Sequence, residues 1–101
     1  MTRVLLTGHQ GKIGRAVARA LAEAGYDPVG YDAVSGQDVR DGDRLAEAAR
    51  DCRHIVHLAA IPRDGLATPE DILSANVYGT WNVLAAAEAC AAERCKRSDK
   101  A

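Results

Sequence analysis

The sequence predicts an α/β fold, a parallel sheet of about three to four strands with flanking helices. Three observations predict it. Short apolar runs recur at 3–7, 28–32 and 54–60, stretches with helical apolar spacing lie between and after them, and glycines break the chain at the turns. Strand, helix, strand, helix, strand is the βαβ pattern, which makes a parallel sheet with right-handed crossovers. The 101 residues suit one domain with a modest core, assigned to residues 1–93. Residues 94–101, rich in charge and without periodicity, read as a disordered tail.

The first strand is "RVLLT", 3 to 7, short and apolar as a buried strand is. Gly8 ends it. From Lys12 the apolar positions Ile13, Ala16, Val17, Ala20, Leu21 and Ala24 repeat at i, i+3, i+4, i+7, an amphipathic helix that Gly25 stops. "PVGYD" follows as a second strand, and Asp41 caps a short Ala-rich helix from about Arg44 to Arg50. "HIVHLAA", 54 to 60, is the third strand. After a turn at Ile61 to Leu66, Thr68 caps and Pro69 opens a long helix with Glu70 and Asp71 in its acidic first turn. Its apolar stripe runs through Ile72, Ala75, Asn76, Gly79, Thr80, Val83, Leu84 and Ala87. Two polar residues and a glycine on that stripe ask for a reason.

Composition removes several classes of function. A net charge of −1 with both signs scattered offers no basic face for nucleic acid or a membrane surface. No apolar run approaches the roughly 20 residues that cross a bilayer, and "MTRVLL" runs straight into Thr-Gly without a signal-peptide core, so the cytoplasm is the default location. Cys52, Cys90 and Cys95 form no CxxC pair and read as reduced thiols; His9, His54 and His57 lack the spacing of a metal site, and no metal is expected. With few aromatics and no Phe, the core must be built from Val, Leu, Ile and Ala, which suits close packing of helices on a sheet.

Gly8, Gly11 and Gly14 give the spacing GxxGxxG between the first strand and first helix. Glycines there serve the sharp turn, close approach of backbone to a ligand, and close packing of helix on sheet. A helix N-terminus offers free N–H groups and partial positive charge, a setting for a phosphate or pyrophosphate. Alone this spacing is a weak signal. It gains from Asp32, which ends the second strand where an acid accepts hydrogen bonds from the ribose hydroxyls of a dinucleotide and repels a 2′-phosphate. Lys12 and Arg15 put cations in the first helical turn, where they are disfavoured; a nearby anion or simple extension into solvent would each account for them.

These residues resemble the NAD-dependent epimerase/dehydratase family, the extended short-chain dehydrogenases. Thr7-Gly8-x-x-Gly11-x-x-Gly14 is similar to its cofactor loop, Asp32 to its ribose-binding acid, and Asp38-Val39 to the Asp-aliphatic pair at the adenine. "HLAA", His57 to Ala60, resembles the small-residue strand end over which the cofactor passes, and "NVYGT", Asn76 to Thr80, the NxxGT of the following helix. The resemblance implies a Rossmann-type sheet and a cofactor site at Gly8, Gly11, Lys12, Ile13, Gly14, Asp32, Asp38, Val39, Leu58, Ala59, Ala60 and Asn76. The cofactor it implies is NAD in preference to NADP. Within the family the chain looks most like uronate dehydrogenases and nucleotide-sugar epimerases, in which hydride passes between the nicotinamide ring and a sugar-like carbon while the tyrosine of a Tyr-x-x-x-Lys pair moves the proton.

Two departures stand out. Only five residues separate Asp32 from Asp38, where the family has a longer loop and a strand; here that strand must be very short or absent. None of Tyr26, Tyr31 and Tyr78 has a lysine four positions on, so no catalytic residue is assigned. The chain therefore reads as the cofactor-binding N-terminal part of such an enzyme, truncated after its last helix, taking a sugar-type substrate only with the rest present. A non-catalytic NAD-binding sensor or regulatory module is the alternative. A homodimer through helix 69–93, with Tyr78 and Trp81 at its interface, is a further implication of the resemblance.

Overall fold

The computed structural model describes residues 1–60 and 68–99, with side chains described as far as residue 91. In chain order the elements are β1 (Arg3–Thr7), α1 (Lys12–Glu23), β2 (Asp27–Tyr31), a single 3-10 turn (Ala33–Ser35), α2 (Gly42–Ala49), β3 (His54–His57), α3 (Pro69–Leu73), a π turn (Ser74–Tyr78) and α4 (Gly79–Asp99). The three strands form one parallel sheet in the order β2-β1-β3. Leu5 pairs with Val29 on one side and Ile55 on the other, and Thr7 with Tyr31 and His57. Those pairings bring the carboxyl ends of all three strands together.

Alternation along β1 divides the protein into two faces. Leu5 packs with Tyr31, Val39, Leu45, Ala49, Val83, Ala86 and Cys90 in the main core, beneath α2 and α4. Leu45 is fully buried, which contributes about 1.5–3 kcal/mol. Helix α1 packs on β1 and β2 and adds no residue to this cluster, so it covers the opposite face, toward which Val4 and Leu6 point. Cys52 and Cys90 are buried, and their Sγ atoms donate to the carbonyls of Ala48 and Ala49 at the end of α2.

The predicted caps are present. Asp41 accepts from Arg44 N (3.1 Å) at the start of α2, and Thr68 and Asp71 form a reciprocal capping box around Pro69. Gly25, at φ 90°, ends α1.

In keeping with the short spacing, no strand lies between Asp32 and Asp38; the chain makes the 3-10 turn instead, and Asp32 caps it by accepting from Val34 N. Other expectations are corrected. Strand β3 ends at His57: Leu58 N still donates to Thr7 O (3.1 Å) as well as to Thr7 Oγ1, and Ala59 N donates to Thr7 Oγ1. The stripe of α1 has the right period, but Ile13, Ala16 and Ala20 are exposed and only Gly14 is buried, as α1 alone covers its side of the sheet among the described residues. On α4 the packed face runs through Gly79, Asn82, Val83, Ala86 and Cys90, while Leu84 and Ala87 are exposed, because the helix leans on α2 as well as β3. Helix α4 also continues to Asp99, through residues expected to be a disordered tail; Glu, Arg and Lys are good helix formers without any apolar stripe. The turn expected at Ile61 to Leu66 lies outside the described residues.

Candidate functional site

The site grows from the carboxyl end of β1. Gly8 follows Thr7 with φ 76°, a backbone conformation that favours glycine, and donates its N–H to Tyr31 O (2.8 Å). A Cβ there would also lie 2.9 Å from Ala59 N, so β1's exit and the segment after β3 can meet only over a glycine. Gly14 is required in the same way: a Cβ on it would overlap the carbonyl of Gly8. Gly11, the N-cap of α1, has no side chain with which to cap it. The first-turn N–H groups of Lys12, Ile13 and Gly14 have no partner within the helix, and the positive end of its dipole points into the loop.

Asp32 faces this loop from the end of β2 and is 9% exposed. Its Oδ2 accepts from Gln10 N (3.0 Å) and its Oδ1 from Val34 N (2.9 Å), while its own N–H donates to Gln37 Oε1. The acid therefore staples the glycine loop to the 3-10 turn. An ionised carboxylate has about four acceptor sites, so two remain for a ligand's hydroxyls.

A cavity of about 320 Å³ opens beside Asp32. Of the twelve residues predicted for the site, it brings together Gly8, Gly11, Asp32, Asp38, Val39, Leu58, Ala59 and Ala60. Lys12, Ile13, Gly14 and Asn76 are not in its wall. Lys12 and Ile13 have exposed side chains on the first turn of α1, and Gly14 is buried against the loop. Asn76 lies on the π turn, where its carbonyl accepts from Thr80 Oγ1 (2.6 Å). Val39 is mostly core: its side chain packs against Gly79, where a Cβ would collide with it.

The wall around Asp38 and Val39 is held by residues that local spacing does not single out. Tyr31 is fully buried, and its hydroxyl donates to Asp38 O (2.8 Å). Burial, reinforced by Asp41, pushes that phenol's pKa up, so the bond is made by the neutral form. From α4, Asn82 Nδ2 donates to Val39 O (2.9 Å) and Arg40 O (3.1 Å). The Asp38 carboxylate accepts from Arg40 N, Nε and Nη2, and this hydrogen bonding holds it below the usual carboxylate range despite partial burial.

Behind the cavity, Thr7, His57 and Thr80 form a directed chain. Thr7 Oγ1 accepts from Leu58 N (3.0 Å) and Ala59 N (3.1 Å), which fills its two acceptor sites and leaves its proton for His57 Nδ1 at 2.6 Å. His57 thus carries its own proton on Nε2, which donates to Thr80 Oγ1 (3.2 Å), whose hydroxyl passes on to Asn76 O. Burial lowers the pKa of His57, in keeping with the neutral ring the chain requires. The two polar residues on the long helix's stripe have a use here: they tie that helix to the strand ends.

A parallel sheet, a glycine turn opening a helix and an acid ending the second strand define a Rossmann-type nucleotide fold. The model of the NAD dependent epimerase/dehydratase family matches residues 4–97, and the chain belongs to that family. It is 38% identical to L-arabinose 1-dehydrogenase (NAD(P)(+)) of Haloferax volcanii, over 93% of this chain and 39% of the relative. UDP-glucose 4-epimerase from Brucella ovis in complex with NAD superposes with a TM-score of 0.78 at 30% identity, over 89% of this chain and 33% of that one. Uronate dehydrogenase from Agrobacterium tumefaciens does so with a TM-score of 0.68 at 26% identity, over 88% and 37%. The chain thus spans well under half the length of these relatives.

Proposed function

We propose that these residues form the NAD-binding portion of a sugar dehydrogenase or nucleotide-sugar epimerase type of oxidoreductase. The observation that carries this reading is the pairing of Asp32 with the loop of Gly8 to Gly14: the carboxylate accepts Gln10 N and keeps acceptor sites over for ribose hydroxyls. The residues fit the cofactor. The first turn of α1, uncapped by Gly11, suits a pyrophosphate, and the cavity bounded by Asp38, Val39 and Ala75 suits the adenine end. Asp32 favours NAD over NADP, because a 2′-phosphate would bring negative charge against a carboxylate.

When bound, the cofactor would supply hydride transfer to or from a sugar-type carbon. This chain's own residues bind and orient it: Asp32 selects the ribose, the glycines admit the backbone, and Thr7, His57 and Thr80 fix the strand ends beneath it. No Tyr-x-x-x-Lys pair lies within the 101 residues, so the chain by itself is expected to bind without turning over. Exposed Leu73, Val77, Tyr78, Trp81 and Leu84 on α3, the π turn and α4 are offered as the contact of a homodimer through helix 69–93. Thermal unfolding with and without dinucleotide tests the cofactor reading: NAD raises the midpoint and NADP raises it less. A folded chain indifferent to both contradicts it.

A further inference from the structure

The main chain that leaves β3 forms part of the cavity wall through Leu58, Ala59 and Ala60. Its position depends on one hydroxyl. Ala59 N donates to Thr7 Oγ1 (3.1 Å), and Leu58 N divides its proton between Thr7 O (3.1 Å) and Thr7 Oγ1 (3.0 Å). The hydroxyl accepts both only while its own proton points at His57 Nδ1. A protonated ring would present a donor there instead. Three N–H groups would then surround a hydroxyl with two acceptor sites, and the hydroxyl proton would turn against one of them. Leu58 N retains Thr7 O, so the loss falls on Ala59, which rests on the glycine turn: a Cβ on Gly8 would lie 2.9 Å from Ala59 N. The elements packed against the ring bring it no carboxylate. β1 faces it with Thr7 and α4 with Thr80, and among the described residues burial alone lowers its pKa. The other histidines lie elsewhere, His9 against Gly30 and His54 edge-on to Tyr26.

We propose that His57 is a positioning residue that couples a proton to dinucleotide binding: the neutral ring holds the wall at Leu58 and Ala59 in its binding form, and protonation of Nδ1 releases that wall. The inference rests on the reading of the cavity as part of an NAD site. By linkage the effect is reciprocal, so bound NAD lowers the pH at which His57 takes up its proton.

The test follows the His57 ring and the Leu58 and Ala59 amides of the whole chain by NMR from about pH 8 to about pH 5, a range that spans the ordinary histidine value. Titrations with NAD give the dissociation constant on either side of the His57 midpoint. In the wild type the Ala59 amide is expected to shift with the ring, NAD to bind roughly tenfold more weakly below the midpoint, as loss of one hydrogen bond allows, and the midpoint to fall when NAD is bound. His57→Asn keeps an acceptor for the Thr7 hydroxyl in the place of Nδ1 and does not titrate. Its Ala59 amide and NAD affinity should hold across the range, with His9 and His54 still present to reveal any contribution of theirs; His57→Gln serves if the asparagine variant fails to fold. Equal NAD affinity on both sides of the midpoint overturns the proposal and leaves the NAD reading standing, as does a pH dependence that persists undiminished in a folded variant. A His57 that stays neutral until the chain unfolds also overturns it. A wild type that binds no NAD even at the upper pH overturns both.

Discussion

Thr7 Oγ1 and His57 Nδ1 lie 2.6 Å apart across the carboxyl ends of β1 and β3, and the hydroxyl is the donor. Because the Thr7 hydroxyl already accepts two main-chain N–H groups, it has no site left for a proton on Nδ1. The imidazole must stay neutral for this corner to hold.

Stability should therefore depend on pH through His57. Its folded pKa is lowered by burial, so the unfolded chain binds a proton first as the pH falls. The stabilisation is complete above the unfolded value of about 6.5 and declines from there down to the lowered folded value. Urea unfolding at pH 8.0 and pH 5.5 should show the loss, and His57→Gln should reduce the difference between the two.

Removing the hydroxyl itself is expected to cost more than one bond. Thr7→Val leaves Ala59 N and His57 Nδ1 without their partner, while Leu58 N keeps Thr7 O, and unsatisfied buried groups cost about 1–3 kcal/mol each. Thr7→Ser should stay close to wild type in the same unfolding experiment.

At Gly14, alanine would place a methyl group against the Gly8 carbonyl. Gly14→Ala should destabilise by about 1–3 kcal/mol, the usual cost of overpacking, and weaken dinucleotide binding. Paired thermal-shift and binding measurements separate the two effects.

Tyr31→Phe keeps the ring in the core and removes only the donor to Asp38 O. A loss of about 0.5–1.5 kcal/mol is expected, the typical net contribution of one hydrogen bond.

The local part of this design is legible in the sequence. Gly8, Gly11, Gly14 and Asp32 announce themselves by spacing, and Thr68-Pro69 by its capping chemistry. Tyr31, Arg40, Asn82 and the His57–Thr80 bond do not, with one exception in degree: Arg40 is only two residues from Asp38, and a carboxylate so close to a guanidinium was a signal available to be read. Asn82 reaches Val39 O across 43 positions and Thr7 reaches His57 across 50, and such pairings exist only once the sheet order is set. Exposure of Ile13 was likewise beyond reach, since periodicity tells which side of a helix is apolar but not how much of that side a neighbour covers.

The central claim, that Asp32 and the glycine loop form an NAD site, is tested most directly by calorimetric titration of the chain and of Asp32→Asn with NAD and NADP. Saturable binding of NAD by the wild type is expected, with NADP weaker by roughly tenfold or more and a narrowed preference in Asp32→Asn. A folded wild type that binds neither dinucleotide, or that prefers NADP, would contradict it.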